Sequence, residues 1–254
     1  MPTLGTRSWI ALGAGAYLAF VLATFPASVA YRWLAPPSLS LIGVDGTVWS
    51  GRAAFGSVSG LALRDVAWRL TPWRLLLGTA GGRAEARLAD GFAATEFSAG
   101  LRRVALRGLQ ASTSLPVLQP LLPVDGMFGL ASLSFERLEL ERGWPVRADG
   151  QIRLQQLEVT PLMPAAGGEL IELGDYEIVF VDGGGDAIEA EIRDAGGPLE
   201  VAATLMVDRA RAYVLEGTVR PRPSASALLV QGLDLMTGEP DAAGRRALGL
   251  TGSL

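Results

Sequence analysis

From about residue 39 onward, apolar side chains recur at every second position, and no other feature constrains the chain as tightly. Ile188, Ala190 and Ile192 alternate with Glu189, Glu191 and Arg193. Leu199, Val201, Ala203, Leu205 and Val207 alternate with Glu200, Ala202, Thr204, Met206 and Asp208, and Tyr213, Leu215 and Val219 follow in phase. Ala84, Ala86 and Leu88 alternate with Arg83, Glu85 and Arg87; Ile152 and Leu154 with Gln151 and Arg153; Tyr176, Ile178 and Phe180 fall on one face. A period of two belongs to the β-strand, and one apolar face with one polar face belongs to half-buried antiparallel strands. The segments Asp182–Gly185, Asp194–Pro198 and Asp208–Arg211 are short connections, so strands adjacent in sequence pair in space as a meander. The phase slips by one at Arg64-Asp65, Glu136-Arg137 and Gln155-Gln156. A slip turns the side chains over unless a bulge restores them, so bulges are expected there.

Helical spacing is scarce in this region. Pro72–Gly78, Leu115–Pro123 and Ser224–Met236 each allow a turn or two. The tripeptide Val-Asp-Gly begins at Val44, Val124 and Val181 with unequal intervals, which marks reuse of a turn rather than a repeat. In the stretch Gly43–Ala53, Asp45-Gly46 has the form of a two-residue hairpin turn. That turn sets Ile42 opposite Trp49 and predicts an indole packed over the apolar face of a hairpin, with Gly51 leaving room for a ring.

So wide a one-sided sheet cannot leave its apolar face in water. Curling, plugging by Leu115–Pro123 and Ser224–Met236, or filling by lipid or a partner are the available remedies. The expectation is a mostly β fold: a curved, twisted antiparallel sheet with a few short helices. Its apolar concave face is lined by Ile188, Ile192, Leu199, Val201, Leu205 and Leu215 and stays partly open to a ligand or partner.

Ser8–Tyr31 is free of charge, with Trp9 at one end and Tyr31 and Trp33 at the other. As one helix of about 36 Å it crosses a bilayer with interfacial aromatics at both ends. Arg7 places its start on the cytoplasmic side. The competing reading is a cleaved signal peptide, since Ser28 and Ala30 fit the small-residue positions of a peptidase site. Either way the rest is exported. The division expected is residues 1–34 as cytoplasmic tail and anchor and 35–254 as a periplasmic β-domain. Ala11, Gly15, Ala19 and Ala23 form a small-residue stripe suited to close packing of a second helix.

The chemistry is narrow. The chain has no cysteine, no histidine and no lysine; all 22 basic residues are arginine. That excludes a Ser-His-Asp triad, thiol chemistry, a histidine zinc site and a Schiff-base lysine. Gly183–Asp186 precedes no helix pattern and is no nucleotide loop. Asp182, Asp186 and Glu189 are poorly spaced for calcium, and Glu189/Glu191 read as solvated surface. No catalytic residue, cofactor or metal is expected, and a net charge of -4 gives no reason for a nucleic-acid partner.

Four stretches resemble the general secretion pathway protein N (GspN) family of bacterial type II secretion systems: Gly46–Ala53, Leu61–Gly78, Ile192–Val207 and Tyr213–Arg222, with Leu248–Leu254 fitting as well. The resemblance covers nearly the whole chain through the order and spacing of its motifs. It implies a non-enzymatic inner-membrane protein with a periplasmic domain, accessory to export of folded proteins across the outer membrane, with membrane lipids and other secretion subunits as partners. It also implies likeness to the grooved sheets of AsmA-type envelope proteins, hence the alternative of a lipid-binding or lipid-transfer groove with bound phospholipid.

Overall fold

The computed structural model describes residues 6–35, 39–75, 78–100, 102–122, 125–160, 170–181 and 187–253. Two N-terminal helices, α1 (Thr6–Ala23) and α2 (Ala27–Leu34), precede thirteen strands. These are β1 (Leu39–Gly46), β2 (Ser50–Val58), β3 (Leu61–Leu70), β4 (Ala80–Arg87), β5 (Phe92–Ala99), β6 (Arg103–Ser114) and β7 (Met127–Glu141), then β8 (Trp144–Val159), β9 (Ile171–Val181), β10 (Ala187–Gly196), β11 (Leu199–Asp208), β12 (Ala212–Pro221) and β13 (Arg246–Ser253). Short helices interrupt them: α3 (Pro72–Leu75), α4 (Leu115–Leu118) with a 3-10 turn at Gln119–Leu121, and α5 (Ala227–Met236). The strands form one antiparallel sheet in strict chain order from β1 to β13, the meander that the alternation predicts.

The three expected bulges are present. Register shifts fall between Arg64 and Ala67, between Phe135 and Arg137, and between Leu154 and Leu157. Asp65 and Gln156 adopt φ of 48° and 51° there. Each bulge absorbs the odd residue, so Val66 and Trp68, then Leu138 and Leu140, then Leu157 and Val159 return to the face their strand began on. In β1 the face changes at Gly43 (φ 70°) with no shift of register against β2, which keeps Leu39, Leu41 and Val44 half-buried and leaves Ile42 exposed.

Long side chains meet across intervening strands. Three strands separate β8 from β12, yet the Arg211 guanidinium, before β12, lies 5.9 Å from the ring of Trp144 at the start of β8. Gly150 allows a similar contact inside the sheet: the rings of Phe135 on β7 and Phe180 on β9 meet at 5.4 Å, flanking this residue of β8.

Both expected plugs lie on the apolar face. Leu115 of α4 is buried with Ala131, Leu157 and Tyr176, and Leu118, Leu122, Met127, Leu133, Ile192 and Val201 pack around them. Leu229 of α5 is buried with Leu199 and Val219, with Leu173, Val201 and Leu233 against them. α5 starts at Ser226, whose Oγ accepts from the Leu229 N–H. Tyr176 donates to Leu173 O at 3.0 Å. Beside it the Arg222 guanidinium reaches Asp194, Gly197 O and Leu199 O, joining β10 to the end of β12.

The N-terminal region departs from the expected single span. The helix stops at Ala23, and Thr24, Phe25 and Pro26 break it before α2 begins; proline lacks the N–H that would have continued it. Among the described residues no helix is long and apolar enough to cross a membrane. α2 lies along the outer edge of β1, where the Leu41 N–H donates to the Tyr31 hydroxyl at 2.9 Å and that hydroxyl donates to Leu39 O at 3.3 Å. One phenol thus satisfies two groups of an edge strand that would otherwise invite pairing.

Candidate functional site

Register places the six predicted apolar residues on one face. Ile188 pairs with Val207 and Ile192 with Ala203; Val201 pairs with Val219, Leu205 with Leu215 and Leu199 with Pro221. Directly opposed residues of an antiparallel pair point to the same side. The chain covers this face unevenly. Leu199 lies buried beneath α5, and Val201 and Ile192 pack into the two clusters that the plugs complete. Ile188, Leu205 and Leu215 lie toward the other strand ends, only half-buried and outside both clusters. The apolar face is therefore closed at the end carrying α4 and α5 and less covered at the opposite end.

A second surface lies on the polar face of the first strands, and the alternation alone does not reveal it. Here β1 to β5 line an open hollow of about 1150 Å³ bordered by Arg52, Arg69, Arg83, Arg87, Glu85 and Glu96, among others. Arg83 bonds Glu96 at 2.7 Å, and Arg87 lies 3.7 Å from Asp65. Arg69 and Arg83 stand directly opposite each other across β3 and β4. Side-by-side guanidinium groups repel and favour an anion, while the interleaved carboxylates limit how strongly. Among the described residues no three acidic groups cluster to hold a metal ion. Gly183–Asp186 and Asp182 lie outside the described residues.

Trp49 does not sit on a strand face. The hairpin turn is Thr47–Trp49 rather than Asp45-Gly46, so Gly46 pairs with Gly51 and Ile42 with Phe55. The indole N–H of Trp49 donates at 2.7 Å to Leu22 O in the last turn of α1, a carbonyl that otherwise accepts only a long bond of 3.4 Å from the Phe25 N–H. The Val48 N–H donates to Phe25 O at 3.0 Å, and Pro26 bridges Thr47. The ring over Gly51 belongs instead to Trp68 of β3: a Cβ at Gly51 would lie 2.8 Å from its Cε2. Trp68 also donates to Val48 O at 3.1 Å. Trp49 thereby fixes the end of α1 to the β1–β2 turn, and Trp68 ties that turn to β3.

On the small-residue stripe of α1, Gly15, Ala19 and Ala23 are exposed; the side chain of Ala11 lies outside those described. The larger apolar side chains beside them are exposed as well, with Leu12, Tyr17, Leu18 and Phe20 each above 60%.

The chain matches the family model of type II secretion system protein N over residues 37–249. A protein of Aeromonas hydrophila, type II secretion system protein N, is 26% identical over 259 aligned residues, which span 94% of this chain and 95% of its own. No solved structure matches.

Proposed function

This chain belongs to the type II secretion system protein N family, and from that premise we propose that it serves as a non-enzymatic inner-membrane accessory component in the export of folded proteins across the outer membrane. α1 is its anchor and the sheet its periplasmic part, divided near residue 34. The observation that carries this reading, beside the family, is the exposed apolar surface of α1. Eighteen residues rise about 27 Å, a few Å less than a hydrocarbon core of about 30 Å. Water is a poor solvent for such a helix, and the stripe from Ala11 to Ala23 offers another membrane helix a close approach. Other subunits of the secretion apparatus are the partners. Photo-crosslinking in native membranes from positions on α1 and on the polar hollow, read by mass spectrometry, tests it: adducts with other secretion subunits are expected. Adducts confined to the chain itself and to abundant unrelated proteins would refute it.

A second reading has its own support. The thinly covered apolar strip around Ile188, Leu205 and Leu215 has the chemistry of an acyl-chain site, in keeping with a groove that holds phospholipid. A photoreactive phospholipid should then label peptides spanning residues 187–215 in addition to α1; labelling of α1 alone removes the groove.

A further inference from the structure

In a meander the connections alternate between two ends of the sheet, and the two ends differ in charge. Those leading from odd to even strands carry five arginines, Arg74, Arg102, Arg142, Arg209 and Arg211, against two acids, Asp182 and Asp186. Those leading from even to odd strands carry two arginines against six acids. Tryptophan follows the basic end: Trp49 and Trp73 stand in its connections and Trp144 opens β8, while the connections of the other end hold none. The two acids lie outside the described residues. Nearby Glu141 lies 3.8 Å from Arg103, and Asp208 accepts from the Ala212 N–H at 2.9 Å. Arg102, Arg142 and Arg211 project as exposed side chains, and the Arg142 N–H donates to Arg102 O at 3.1 Å, which holds two turn tips side by side.

Three further features share this end. α1 is fixed there, through Trp49 and Val48 of the β1–β2 turn. Trp73 is 59% exposed there. The thinly covered part of the apolar face, at Ile188, Leu205 and Leu215, opens there. We propose that this basic, tryptophan-bearing end seats on the anionic headgroups of the bilayer that α1 enters. The inference rests on α1 being a membrane anchor. Arginine forks suit phosphate oxygens, and indoles settle at the headgroup layer. The position of α1 selects a lipid surface over an acidic protein as the occupant. With the domain seated in this way, the uncovered apolar strip faces the leaflet from which a lipid would come.

A chain without native cysteine allows single labels to be placed freely. Full-length protein carrying an environment-sensitive fluorophore at Ala16→Cys in α1, Trp73→Cys or Ala210→Cys at the basic end, or Ala89→Cys or Ser224→Cys at the far end, is reconstituted into vesicles. These contain phosphatidylethanolamine and phosphatidylglycerol at about three to one, with a headgroup-attached quencher. The basic-end labels should be quenched at least about threefold more than the far-end labels, and the gap should collapse in phosphatidylcholine or in an Arg102→Glu/Arg142→Glu/Arg211→Glu background. The corresponding glutamine triple variant should give an intermediate value and controls for misfolding. A lipid-embedded Ala16 label with equal quenching at both ends overturns the seating and leaves the anchor standing. A water-exposed Ala16 label overturns the anchor reading, and the seating with it. Quenching that ignores both lipid charge and the arginine substitutions overturns the electrostatic contact.

Discussion

With no lysine, histidine or cysteine, this chain has few side chains that can move its stability between neutral and strongly alkaline pH. That makes its alkaline stability unusually easy to assign. Tyr176 sits in the cluster beneath α4 at 9% exposure, and burial, with Asp194 nearby, pushes its phenol up to about 12. The folded state therefore keeps the proton over a range where the unfolded chain, near 10, has lost it. The unfolded state binds fewer protons there, so stability falls as pH rises. The contribution is fully present below about pH 10 and gone above about 12, and a shift of two units is worth roughly 3 kcal/mol. Tyr176→Phe should cost about 1 kcal/mol at neutral pH, through the lost bond to Leu173 O, and should remove most of the alkaline decline. Urea unfolding of both proteins in non-ionic detergent, followed by circular dichroism in steps from about pH 8 to 12, measures this directly. An alkaline decline of the same size in the phenylalanine variant would refute the assignment.

Leu115→Ala should lower stability by about 2–5 kcal/mol, seen as a lower denaturation midpoint with an unchanged slope, because Leu115 is 2% exposed at the centre of its cluster. Trp49→Phe keeps a ring but loses the donor to Leu22 O; at about 1 kcal/mol, amide exchange over residues 22–30 should rise roughly fivefold. Hydrogen bonds from Ser114 and then Thr113 hold the Asp90 carboxyl below its usual range, which adds stability above about pH 4 that is lost as pH falls through the folded value. Asp90→Asn should therefore be less stable at neutral pH and less sensitive to acid, as read from midpoints across that range.

The bulges at Asp65, Glu136 and Gln156 were legible because a slipped phase is written in the side chains: a strand must turn over or absorb a residue, and burial decides which. The plugs were legible too, since Leu115–Leu118 and Ala227–Met236 break the period of two. The β1–β2 turn was misread because Asp45-Gly46 is a strong local signal, whereas the observed turn at Thr47–Trp49 is held by a helix carbonyl 27 residues away. Hydropathy passed over the break at Pro26, since proline interrupts a helix without adding charge. The uneven ends of the sheet emerge only once every strand is counted, because a turn's side depends on the parity of all the strands before it.

The strict chain order of the strands bears on how the molecule is made. Each strand finds its partner in the segment immediately following, so no β-segment waits for a distant stretch to arrive. Loop-closure entropy stays small, and pairing proceeds hairpin by hairpin as the chain is delivered from its N-terminus. The first edge, β1, has its cover before it exists, since α2 and Tyr31 precede it; every later edge is exposed only until the next strand joins. The growing sheet thus has a single open margin, which moves along the chain from one strand to the next.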